Sequence, residues 1–257
     1  MIATWWRGWR ERRAASRRAI PDALWSATIA RHPFLSRRST EDLDRLRRLA
    51  MLFLDSKEFT GADGLVVSDE IAVSIAAQAC LPVLQLGLEH YGRFVGIVVH
   101  SGEVVARREH VDEAGVVHRY DELLSGEAME GGPVMLSWSD AQGPVDTAGE
   151  TPGAWAYNVV IHEFAHVLDM GDGVADGVPP GVNRERWMDV LVPAFDNFCE
   201  RVVCGHETVL DPYAAEGLDE FFAVASESFF VTPQALKEEQ PALYRLLMSY
   251  YRQDPAG

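Results

Sequence analysis

The stretch His162-Glu163-Phe164-Ala165-His166 decides how this chain is read, because side chains four apart on a helix share a face and two such histidines can hold one metal ion. The surrounding run from Trp155 to Met170 has apolar residues at 155, 159, 160, 164, 167 and 168 and contains neither proline nor glycine. That pattern predicts about four turns of largely buried helix with both histidines in its middle. Neutral imidazoles so placed bind Zn²⁺ at about 2.0–2.1 Å, and Glu163, beside the remaining coordination position, is positioned to take a proton from water. The competing reading, two core histidines and a surface glutamate, requires separate partners for each group to offset desolvation.

A site of this kind needs a third protein ligand, and two residues compete for the role. Asp172 falls six residues after His166, where the metzincin pattern HExxHxxGxxH places its last ligand, but that pattern needs a glycine at 169 to turn the chain and this sequence has Asp169. Glu220 opens the apolar, helix-prone run Glu220-Phe221-Phe222-Ala223-Val224-Ala225-Ser226-Glu227, and a glutamate on a second packed helix completes a His₂Glu set. Glu220 is therefore preferred. Asp169, two turns after His162, and Glu227 are candidates to orient a ligand histidine or to pair locally.

The segments NVVIHEFAHVLDMGDG (158–173) and DPYAAEGLDEFFAVASESFF (211–230), with FTGADGL (59–65), IAAQACL (75–81), LSGEA (124–128) and GPVMLSW (132–138) upstream, resemble the Mlc titration factor A family. The resemblance covers most of the chain, with the segments in the family's order. The pairing of Tyr213 with Glu220-Phe221-Phe222-Ala223 is also similar to the active-site helix in the catalytic domain of anthrax toxin lethal factor. The resemblance implies a gluzincin-type zinc peptidase with one Zn²⁺ per chain. His162, His166 and Glu220 would be the ligands, Glu163 the base, and Tyr213 a residue near the substrate carbonyl. It also implies aminopeptidase-like action on short peptides, and a second role in binding an Mlc-like transcription repressor that controls sugar uptake.

Composition agrees with a compact chain. At 257 residues and 47% hydrophobic content it can bury a full core, so a single domain of residues 1–257 is expected, with lobes at about 1–140 and 154–257. No apolar stretch is long enough to span a bilayer, the start lacks the features of a secretory signal, and Cys80, Cys199 and Cys204 form an odd set; a reduced, cytoplasmic setting is expected. Net charge is −16, with +7 on the first 50 residues and −23 on the rest. The arginines near the start, interleaved with Trp5, Trp6 and Trp9, fit an amphipathic helix on the acidic body, and the acidic balance argues against nucleic acid as the main partner.

The expected fold class is α+β, zincin-like, mainly helical with a small, mostly antiparallel sheet beside the zinc helix. Residues 1 to about 56 read as helical, Ser39 and Ser68 as helix starts, and 184–204, 215–230 and 234–252 as later helices. The β-prone runs 95–99, 104–110, 116–120 and 133–138 supply the sheet, and residues 132–138 are a candidate exposed edge for an extended peptide. His100, His110 and His118 read as surface or strand-pairing residues. Residues 141–153 form a linker into the zinc helix.

Overall fold

The computed structural model describes residues 19–111, 117–142 and 155–257, of which 106–111 and 117–123 by backbone alone. The expected amphipathic helix at the arginine-rich start and most of the expected linker lie outside the described residues.

Two short helices, α1 (Asp22–Arg31) and α2 (Pro33–Ser36), lead into α3 (Thr40–Ser56). Ser39 begins α3 by accepting from the Asp42 N–H at 3.1 Å, and Ser68 begins α4 (Asp69–Cys80) by accepting from the Ile71 N–H at 3.3 Å. Each serine satisfies an N–H that has no partner within its helix, so both predicted starts are met by the mechanism that motivates them.

Among the described residues six strands occur in chain order: β1 (Glu58–Gly61), β2 (Gly96–His100), β3 (Val104–Val111), β4 (Val117–Leu124), β5 (Gly126–Ala128) and β6 (Val134–Ser137). Strands form where the β-prone runs lie, but the expected antiparallel sheet is corrected. Four strands form one sheet in the order β1-β2-β6-β5; β1–β2 and β2–β6 are parallel, and only β5–β6 is antiparallel. β3 and β4 form a separate antiparallel ribbon, with His110 opposite His118. The reason is connection length. The path from β1 to β2 runs through α4, and a crossover of that kind returns the strand in parallel, whereas antiparallel neighbours are joined by tight turns. Strand β6 is interior to this sheet, so the edge expected at 132–138 is instead β5.

The second half is helical: α5 (Trp138–Ala141), α6 (Val159–Asp169), α7 (Arg184–Val203), α8 (Leu218–Val231), α9 (Pro233–Glu239) and α10 (Pro241–Tyr251). Helix α6 starts at Val159 rather than near Trp155, because the Asn158 side chain accepts from the Ile161 N–H at 2.9 Å and caps it. The helix expected at 234–252 is two, since Pro241 lacks the N–H that a continuous helix would use.

Helix α6 packs against α4, α8, β5 and β6. Phe164, between the two histidines in sequence, points the other way. Its ring meets Phe53, Tyr91 and Phe94 with centroids 5.0–5.8 Å apart, and it is fully buried. This aromatic cluster fixes which face of α6 turns to the core, and so sends His162 and His166 toward α8. No helix among the described residues is long and apolar enough to cross a membrane.

Candidate metal centre

His162, His166 and Glu220 come together where α6 and α8 cross. His162 Nε2 lies 3.1 Å from His166 Nε2 and 3.1 Å from Glu220 Oε2, and the third side of the triangle is 3.4 Å. A tetrahedral ion with bonds of about 2.0–2.1 Å has its ligand atoms about 3.4 Å apart. The triangle is therefore close to one face of such a tetrahedron. Glu220 Oε2 is buried and makes no hydrogen bond of acceptable angle despite its closeness to both imidazoles. Two ring nitrogens and a carboxylate oxygen that converge this closely, with the oxygen lacking a hydrogen bond, suit a shared cation better than mutual pairing. The donor set therefore fits a divalent metal.

The electrostatics point the same way. Burial alone would lower the His162 pKa, but the Glu220 and Glu227 carboxylates on either side of its ring outweigh it and hold the imidazole well above its ordinary value. Burial would likewise raise Glu220, yet the two histidines hold it far below the usual carboxylate range. Without metal, the cluster gathers protons where it would otherwise gather a cation.

Glu227, two turns along α8 from Glu220, accepts from the other side of the His162 ring, with Oε1 2.8 Å from Nδ1. A carboxylate there fixes the proton on Nδ1 and leaves the Nε2 lone pair facing the cluster. Its second oxygen accepts the backbone N–H of Asn158. The Asn158 side chain donates at 2.7 Å to Gln78, which in turn donates to the carbonyls of Ser74 and Ala141. All of these groups are buried, so the ring of His162 is held by a chain of bonds running back into α4.

Glu163 is buried beside the cluster against strand β5. Burial pushes its pKa up, the two histidines pull it down, and a backbone hydrogen bond from Ala128 steadies the carboxylate. The strand comes this close because residue 126 is glycine: a Cβ there would stand 2.5 Å from Glu163 Oε1 and 2.6 Å from its Cγ.

Tyr213 lies in a short 3₁₀ turn, Pro212–Ala215, held by Asp211, whose carboxylate accepts from the Tyr213 N–H at 2.9 Å. Its ring, 43% exposed, has its centroid 6.2 Å from that of His162. Asp172 stands apart from the triangle and accepts from the Val174 N–H. Asp169 makes the local pairing rather than a hydrogen bond to a histidine: its Oδ2 accepts from the Gly177 N–H at 2.8 Å, and burial lifts its pKa to about 6. The three cysteines are free thiols, with Cys80 buried, Cys199 half-buried and Cys204 exposed. His100 sits on β2 with Nδ1 3.4 Å from Asp63, away from the cluster.

Sequence reasoning missed three contributors: Gly126, Gln78 and Asn158. Asn158 had a readable signal, an asparagine directly before an apolar helical run. Gly126 and Gln78 had none, since their roles exist only across long separations in the chain.

Residues 6–252 match the family described as glucose-regulated metallo-peptidase M90. This chain is a member of that family. Among its relatives, Mlc titration factor A of Pectobacterium atrosepticum is 36% identical over 236 residues, covering 90% of this chain and 86% of that protein. Mlc titration factor A of Cronobacter sakazakii is 33% identical over 252 residues, covering 96% and 91%. An uncharacterized protein of Synechocystis is 33% identical over 255 residues, covering 97% and 90%. Membership of a metallopeptidase family implies a divalent metal, and His162, His166 and Glu220 are a group that could bind one.

Proposed function

We propose that this chain is a zinc-dependent peptidase of the gluzincin type with a zincin-like arrangement, acting on short peptides in an aminopeptidase-like manner. The observation that carries this reading is the donor triangle of His162, His166 and Glu220 with the Glu163 carboxylate buried beside it. When bound, the metal supplies Lewis acidity to the scissile carbonyl and to the attacking water. Glu163, its basicity raised by burial, takes the proton from that water and returns it to the leaving amine. Tyr213 offers its hydroxyl to the oxyanion that develops on the carbonyl. Strand β5, at the open edge of the sheet and against Glu163, holds an extended substrate by main-chain hydrogen bonds.

The test compares peptide hydrolysis by wild type and Glu163→Gln, with zinc content measured on both. Glutamine keeps the shape but cannot accept the proton, so hydrolysis should be nearly lost with zinc retained. Equal rates would remove Glu163 from the mechanism. Tyr213→Phe should lower kcat more than it raises KM; a pure rise in KM would make Tyr213 a binding residue.

A second reading is favoured by the relatives named Mlc titration factor A: the chain binds and sequesters an Mlc-like transcription repressor. The two roles are compatible. If the repressor docks away from the cleft, Glu163→Gln should leave its affinity unchanged in calorimetry. Loss of repressor binding in that variant would merge the two functions into one site.

A further inference from the structure

A cavity of about 390 Å³ lies away from the metal cluster, between the segment before α7 and the end of α10. Its wall contains Arg186, Arg252 and His90 and no aspartate or glutamate, in a chain that carries 39 acidic residues against 23 lysines and arginines. Neither arginine has an ion pair or a side-chain hydrogen bond among the described residues. In so acidic a chain, two unpaired guanidinium groups at one cavity are an unspent attraction for an anion.

Three further features converge there. Asn183, also in the wall, caps α7 by accepting from the Arg186 N–H at 2.9 Å, so the positive end of a 20-residue helix opens at the cavity. Arg252 has φ 53° and ψ 37°, a left-handed conformation that side-chain-bearing residues adopt at an energetic cost. Tyr250 lines the cavity too, and its buried hydroxyl has no hydrogen-bond partner among the described residues.

We propose that this cavity is a binding site for a small phosphate monoester. Two guanidinium forks, an imidazole and a helix N-terminus supply more donors than a planar carboxylate can use, and they suit a tetrahedral dianion. The volume exceeds that of phosphate alone, and Trp187 offers an apolar surface for a compact organic body. Occupancy has a route to the metal helix. Trp187 Nε1 donates to the Gly177 carbonyl at 2.8 Å, and the Gly177 N–H donates to Asp169, the last residue of α6. The proposal does not depend on the peptidase reading.

Calorimetry of the full chain with inorganic phosphate, glycerol 3-phosphate and glycerol tests it. Saturable binding of glycerol 3-phosphate, at least about tenfold tighter than inorganic phosphate and absent for glycerol, is expected. Arg186→Ala and Arg252→Ala, both at exposed positions, should each weaken it about tenfold while leaving circular dichroism unchanged. Trp187→Phe should remove the fluorescence change that accompanies binding. No saturable binding of any probe, or equal affinity in both arginine variants, would overturn the site. Equal affinity for inorganic phosphate and the monoester would overturn the class of ligand.

Discussion

Replacing Glu227 by glutamine separates holding a ligand from being one. The wild-type carboxylate accepts twice, from His162 Nδ1 at 2.8 Å and from the Asn158 N–H, and it is almost wholly buried. Glutamine has the same shape but only one acceptor oxygen, so its NH₂ must face one of these two donors. If the oxygen stays with Asn158, the amide donates to His162 Nδ1 and moves the ring proton to Nε2, the atom that faces the metal cluster. If it stays with His162, the Asn158 N–H at the start of α6 is left buried without a partner. The second outcome costs about 1–3 kcal/mol of folding stability, the usual penalty for a buried unsatisfied group, and the first takes a comparable amount from metal binding, since the ring proton must leave Nε2 before that atom can bind. Taken from metal binding, that corresponds to about a 10- to 100-fold loss of affinity, the range found when partners behind a ligand histidine are removed. Competition against a chromophoric chelator measures this, and thermal melts of the metal-free proteins separate it from loss of the fold. Zinc affinity within about twofold of wild type, together with an unchanged melting temperature, would refute the claim that Glu227 sets the His162 tautomer.

Gly126→Ala should cut turnover by at least about tenfold with zinc retained, because the added Cβ stands 2.5 Å from Glu163 Oε1 and must displace the base; a normal rate would show that strand β5 yields freely. Glu220→Ala should strip zinc from the purified protein while Asp172→Ala should not, and the reverse result by metal analysis would restore the metzincin-like ligand set. His32, buried against Ser74, has its pKa lowered from 6.5 to about 4, first by burial and then by Arg31. The unfolded chain therefore takes up this proton before the folded one as pH falls. Its contribution is intact above pH 6.5 and is lost toward pH 4, by up to about 3 kcal/mol. Urea unfolding at both pH values should show a shallower loss for His32→Gln, and equal slopes would remove His32 as a source of acid sensitivity.

The helical framework was largely legible in the chain. Ser39 and Ser68 each accept from the N–H three residues on, a signal that is local and survives without tertiary contacts. Strands β2, β3, β4 and β6 lie where β-prone runs were legible, whereas β1, β5 and the parallel pairing were not. The apolar runs of β2 and β6 report burial, while their parallel alignment depends on the crossover from β1, and β1 itself is four residues long.

The candidate metal ligands divide along the same line. The spacing of His162 and His166 fixes a shared face on one helix, because helical periodicity is a property of sequence separation alone. Whether Glu220 or Asp172 comes near the two histidines is a question about two segments, and packing places Glu220 there. The aromatic contacts of Phe164 turn α6 so that its histidines face α8, and this brings Glu220 Oε2 to 3.1 Å from His162 while Asp172 turns to its own loop. The same holds for the support around the site. Glu227 was recognisable as a candidate from its place on the Glu220 run, but Gln78 and Gly126 act across 80 and 37 residues of chain to reach Asn158 and Glu163. Local physics dictated which side chains could form a site, and long-range burial of apolar faces decided which of them met.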